Sequence, residues 1–398
     1  DHRDLHSFPT RRSSDLEVYE QDNNKKEQIY MEQKKKIELP STSDTTPYYP
    51  DDTFRKDSST DLDTGLVIKD KNKNEYVWIE VPRSLYANSS YNTKTTTADQ
   101  KPTSSTDYDK IEYCLHKYTD YYRRDKNGTL TSYKDTYSSA AATGLTSTQY
   151  TDLKQKMLKS VYENGGFWIG RYEAGITTER TTSGTPTIAP LSKQGTTENP
   201  VYPYTYITCK QAQTLTSQLS TGKSYTSSLM FGVQWDLVMK HIEVKEVAKG
   251  TDLATIQNAL RSNSKDLGNY SNASFTINRG EYAEYKSYAL LTTWTPYNKT
   301  TSNNFVDSNS VKQVKSSGGS GILLTTGASD ECKKMNIYDL AGNVSEFTLE
   351  YTASTSRPCA NRGSSFFYPS YMLPVSGRSN DDTTAYRNTF GFRVSLFK

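Results

Sequence analysis

Hydrophobic residues make up 33% of this chain, well under the roughly 45–50% apolar usage of globular domains, in which glycine is counted. Tyrosine is the exception to that scarcity, with 31 residues against 12 Phe and 4 Trp. Two uses fit such an excess. Tyr offers broad contact area with few rotatable bonds and a hydrogen-bonding tip, which suits a binding surface. It also suits the half-wet strands of a loop-rich β protein. The 398 residues leave room for one large core or two ordinary domains.

Charge and cysteine usage exclude several classes. The 48 basic and 45 acidic residues are mixed along the chain and leave a net +3, so no nucleic-acid footprint is expected. Cys114, Cys209, Cys332 and Cys359 lie far apart without a CxxC pair, which rules out a zinc-type or thioredoxin-like motif. One or two disulfides stay open, and spacing does not give their connectivity. No apolar run approaches the 18 to 20 or so residues of a membrane span.

Residues 5–16, LHSFPTRRSSDL, resemble the translation of a common sequencing adapter, so residues 1–16 are set aside as foreign sequence. A secretion signal, pilin-like helix or virion anchor could then have stood upstream. Residues 17–60 read as a charged, flexible segment and linker, with Pro40, Pro47 and Pro50 in its second half. The folded domain is expected over 61–398, with insertions near 83–155 and 262–320. Residues 65–81 have a hairpin pattern around a polar turn at 71–74. Helical spacing covers 107–123, 148–163, 206–219 and 234–244, the last with Leu237, Val238 and His241 on one stripe. In the strand predicted over 165–176, Phe167, Ile169, Arg171 and Glu173 share a side, which points to a buried, paired charge.

Six segments in order resemble the sulfatase-modifying-factor family: GGFWIGRYEAG, NPVYPYTYITCKQAQTL, SLMFGVQWDLVMKHI, IYDLAGNVSEFTLE, NRGSSF and GFRVSLF. The resemblance implies an α+β domain of C-type-lectin-like topology, the formylglycine-generating-enzyme type, with many long loops. Within these motifs 339–343 has turn chemistry and 344–348 strand chemistry. Gly363 and Gly391 are read as backbone positions closed to other residues. Arg362 and Arg393 need carboxylate partners in their short strands, with Glu173 and Glu346 as candidates.

Catalytic members of the family hold copper with two cysteines between the arginine-glycine motif and the closing glycine-phenylalanine-arginine. Soft thiolates are what cuprous copper requires. Here the corresponding residues 366–390 contain no cysteine. The chain is therefore expected not to be an enzyme and to carry no cofactor. Asn343 and Glu346 are a candidate calcium pair, since hard cations prefer such oxygens near a turn; against it, Asn343 can cap the turn and Glu346 can pair with an arginine.

The same stretch carries Tyr368, Ser370, Tyr371, Asn380, Asp381, Asp382 and Tyr386 between two fixed-looking motifs. It resembles the C-terminal variable region of proteins diversified by retroelements, and its mix of aromatic anchors and small polar groups fits a paratope. The expected function is a non-catalytic extracellular module binding a protein or glycan on a cell surface, on a bacterial cell or a virion. A structural surface or pilus-type subunit and a formylglycine-generating oxidase are the alternatives.

Overall fold

The structure is a computed structural model that describes residues 37–94, 99–286, 290–291, 293–297, 313–315 and 321–398. The expectations placed on residues 1–36 lie outside them. The chain divides into two units, Asp1–Glu38 and Leu39–Lys398, and the architecture below is that of the second. It is mixed α+β, with several small sheets and, among the described residues, seven α-helices.

Two sheets position the C-terminal segment. The first holds β1 (Arg55–Lys56), β2 (Val67–Lys69), β3 (Glu75–Glu80), β4 (Gly166–Gly170), β5 (Thr226–Leu229) and the terminal strand Val394–Phe397. The second holds β6 (Ser345–Phe347), β7 (Cys359–Arg362), β8 (Arg378–Asp381) and β9 (Phe390–Phe392). With the terminal strand as β10, the orders are β1-β2-β3-β4-β10-β5 and β8-β7-β6-β9. All pairs are antiparallel except β6 with β9. Arg393 alone separates β9 from β10, so the chain crosses between sheets at one buried arginine.

Local chemistry explains the elements. Asp70 closes the β2–β3 turn by accepting from Asn72 N and Asn74 N, each at 2.8 Å. Five helices matter below: α1 (Tyr108–Tyr118), α2 (Ser147–Asn164), α3 (Cys209–Gln218), α4 (Gly232–Ala248) and α5 (Leu253–Arg261). Capping boxes start α2 (Thr146 with Gln149) and α3 (Thr208 with Gln211). Gly165, at φ 66°, ends α2.

The first sheet is buried on both faces. Val77, Ile79, Phe167 and Ile169 face the main core with α2 and α4. On the other side Trp78 stands opposite Trp168 in register, their rings 5.0 Å apart. What covers that side corrects the linker expectation for 39–60. Phe54 is buried there, Tyr48 and Tyr49 pack against the same cluster, and Trp78 donates to Thr45 Oγ1 at 2.7 Å. The segment is a strap ending in an edge strand, because exposed indoles would otherwise have no apolar cover.

Two further findings bear on the sequence reading. The residues read as insertions contribute to the core: Ile111, Cys114 and Leu115 of α1, and Leu267, Tyr270, Ala273, Phe275 and Ile277 downstream. The strand predicted to 176 stops at Gly170, and Gly175–Ile176 pair instead with Tyr202–Pro203. Arg171 and Glu173 therefore do not share a strand face. Arg171 pairs with Glu75 at 2.7 Å, while Glu173 is buried elsewhere. None of the described helices is long and apolar enough to cross a membrane.

Candidate ligand-binding site

A ring of four charges anchors the C-terminal segment. Arg362, at the end of β7, donates to Asp236 Oδ1 at 2.8 Å and to Glu350 Oε2 at 3.1 Å. Arg378, opposite it in register at the start of β8, donates to Asp236 Oδ2 at 2.7 Å and to Glu350 Oε1 at 2.8 Å. Each guanidinium thus holds both carboxylates, and all four groups are buried or nearly so. Burial pushes the Glu350 carboxyl up, but Arg378 and Arg362 outweigh it and hold its pKa at about 2. Arg362 was expected to pair with Glu173 or Glu346, and it takes neither. Glu346 binds Arg393 instead, at 2.6 Å.

Between β7 and β8 the chain runs out along a stapled loop. Gly363 (φ 78°) and Ser364 (φ 63°) turn it off the strand, and a Cβ on Gly363 would meet Leu340 O at 2.7 Å. The Ser370 hydroxyl donates to Asn263 Oδ1 at 2.6 Å, Val375 N donates to Ser264 Oγ at 2.9 Å, and Trp235 Nε1 donates to Val375 O at 3.0 Å. Held at these points, the loop exposes Tyr368 by 37%, Tyr371 by 53% and Met372 by 58%.

The loop forms one wall of a cleft of about 360 Å³. Met372, Leu373, Pro374 and Arg378 face a small hairpin from the α1–α2 connection, which carries Arg124, Leu130 and Tyr133. That hairpin is self-supporting: Asp125 Oδ1 accepts from Asn127 N and Thr129 N, both at 2.9 Å. Arg124 binds Asp120 at 2.8 Å, and Leu130 is left 47% exposed. Arg261, from the end of α5, lines the cleft and stacks 3.8 Å over the Tyr121 ring.

The seven residues proposed to contact a ligand differ in exposure and in what holds them. Tyr368 and Tyr371 are exposed on the loop. Ser370 between them is fully buried, so its place is in the frame and not on the contact surface. Asn380 and Asp381 are neighbours on the edge strand β8 and point to opposite faces: Asn380 donates to Thr352 Oγ1 at 3.2 Å, while Asp381 meets Arg387 at 3.6 Å. Asp382 closes a turn by accepting from Thr384 N at 2.8 Å, and Tyr386 beyond it is 45% exposed. The length of β8 sets the cleft and this turn roughly 10 Å apart.

Both members of the candidate calcium pair are engaged by protein partners. Asn343 Oδ1 accepts from Asn269 Nδ2 at 2.8 Å and from Leu324 N at 3.0 Å, and its Nδ2 donates to Glu173 at 2.8 Å. Both Glu346 oxygens accept from Arg393. Glu173 also accepts from Val344 N at 3.1 Å, and burial and the charges of Asp339 and Glu346 raise its carboxyl well above the ordinary range against the pull of Arg393. Gly391 needs its missing side chain for a different reason than expected: its φ is not positive, but a Cβ would meet Val344 Cγ2 at 2.5 Å.

Sequence reasoning missed the acids of the ring and the opposite wall of the cleft. Asp236 and Glu350 both lie inside quoted motifs, in GVQWDL and SEFTLE, so a count of carboxylates beside apolar residues would have found them. The hairpin at 124–133 carries a different signal, the Asn127-Gly128 pair of its turn.

No protein-family model matches this chain, so the resemblance to the sulfatase-modifying-factor family rests on the motifs alone. No curated protein matches it either. Among solved structures it is similar to Treponema denticola variable protein 1, at 14% identity and a TM-score of 0.30, over 59% of this chain and 85% of that one.

Proposed function

We propose that this chain is a non-catalytic ligand-binding module on a lectin-type frame, displaying its C-terminal segment to a protein or glycan on a cell surface. The observation that carries this is the stapled 363–377 loop, whose buried residues are fixed by hydrogen bonds while Tyr368 and Tyr371 stand exposed and Met372 lines a cleft. Rigid anchors on a held frame lose little entropy on binding. Three acids near the cleft are spent on holding the structure. Asp236 and Glu350 are saturated by arginines and Asp125 by its own turn, which leaves none of the three poised as a general acid or base.

The test is the Tyr368→Ala/Tyr371→Ala double variant, assayed on a glycan array and on intact bacterial cells. Affinity for whatever the wild type binds falls at least tenfold, while the melting temperature moves by about 1 °C or less, as expected for exposed side chains. Unchanged affinity places the site elsewhere. The retroelement-type diversification makes a second prediction. Resequencing the codons of 362–398 across the source population finds substitutions at exposed Tyr368, Tyr371, Asp382, Thr384 and Tyr386 and spares buried Ser370, Val375 and Ser376. Substitutions spread evenly over exposed and buried positions would refute it.

A further inference from the structure

Two of the four cysteines meet in the core. Cys209 is the first residue of α3, Cys359 the first of β7, and both are buried. Cys209 Sγ lies 3.9 Å from Thr348 O. Thr348 N in turn donates to Ala360 O at 3.1 Å, so the thiol sits beside the strand pair at the point where Cys359 enters it. Both thiols are free in this structure, and Cys359 acts on the Cys209 thiol more strongly than any other group. Cys114 is placed differently, with its Sγ 3.5 Å from Gln100 O, and Cys332 ends a short 3-10 turn.

We infer that Cys209 and Cys359 form a disulfide when the chain folds in an oxidising compartment. Both thiols lose their protons, and the pair gives two electrons to a disulfide oxidant such as glutathione disulfide. The oxidant leaves as two thiols while the Sγ–Sγ bond forms. In the closed core the hydrogen bond with Cys359 and burial raise the Cys209 thiol well above its ordinary range. Little thiolate is then present to react, and the exchange belongs to the folding chain, before the core shuts. The bond ties α3 to β7, where Cys359 stands opposite Asp381 and Arg362 opposite Arg378. It therefore braces the strand that carries β8, the bridge between the cleft and the Asp382 turn. This inference is independent of any ligand.

The test uses the full chain, refolded in a mixture of reduced and oxidised glutathione, then denatured without reductant and alkylated. Cys114 and Cys332 take up the reagent, Cys209 and Cys359 do not, and non-reducing peptide mapping finds the last two on one linked peptide. Reduction lowers the melting temperature by about 3–5 °C, the scale of one cross-link closing a long loop in a domain of this size. The Cys209→Ser/Cys359→Ser variant melts at the same temperature with and without reductant. Four alkylated thiols before reduction, or a linked peptide containing Cys114 or Cys332, would overturn the inference.

Discussion

Arg362→Met is expected to lower the unfolding free energy by about 3–5 kcal/mol, the scale for breaking a buried ion pair from one side. The substitution keeps an unbranched stem against Trp235, over whose ring the guanidinium now lies at 5.5 Å. What it removes is the charge, together with the guanidinium's hydrogen bonds to the Ser376 and Gly377 carbonyls. Asp236 and Glu350 are then left to share Arg378, one cation for two buried carboxylates. Glu350→Gln added to Arg362→Met restores the balance of charge, so the double variant loses less than the sum of the singles, by about 1 kcal/mol or more. The acid dependence has a definite sign. Glu350 has a folded pKa of about 2, below the roughly 4.3 of an unfolded Glu. Its contribution is fully present above that unfolded value and is lost as the pH falls through about 2. Urea titrations of wild type and Arg362→Met at neutral pH and in acid check this: the gap between them narrows as the carboxylate is neutralised. A gap that holds constant to pH 2 would mean that lost packing and the lost bonds to the Ser376 and Gly377 carbonyls, not charge, carry the effect.

Much of the frame was legible because it rests on local signals. The β2–β3 hairpin shows as apolar runs around Asp70–Asn74, and α2 and α4 show as helical spacing within a few residues of their ends. The turn at 339–343 shows in its residue types, and Asp339, Gly342 and Asn343 all have positive φ there. Partners were less legible, since pairing is decided by topology. Arg362 finds Asp236 and Glu350 because β7 runs between β6 and β8 and faces the start of α4, a fact no spacing states. The strap at 39–60 was misread because Pro, Ser and Thr mark a linker only where no apolar face waits to be covered. Here Trp78 and Trp168 supply one. The site divides in the same way. Tyr368, Tyr371 and Tyr386 were recognised as aromatic anchors in a polar stretch, whereas Ser370 is chemically indistinguishable from an exposed serine until Asn263 is brought to it.

Asn343 tests whether the AGN turn is held by hydrogen bonds or by a cation. Its amide spends its full capacity inside the protein. The oxygen accepts from Asn269 and Leu324 N, and the nitrogen donates to Glu173 and, at 3.2 Å, to Leu324 O. Its backbone lies at φ 55°, a conformation that Asn tolerates better than Ala. Asn343→Ala leaves several buried groups unpartnered and adds backbone strain, an expected loss of about 4 kcal/mol. Asn343→Gly removes the same bonds without the strain and recovers about 1 kcal/mol of it. The difference between the two variants thus isolates the backbone from the side chain. Calcium separates the remaining possibilities. A cation held by Asn343 and Glu346 would raise the wild-type melting temperature on addition of Ca²⁺ and lose that effect in both variants. With Glu346 spent on Arg393 and Asn343 on its four bonds, the expected result is the same melting curve with Ca²⁺ and with chelator, and a loss in Asn343→Ala that neither one alters.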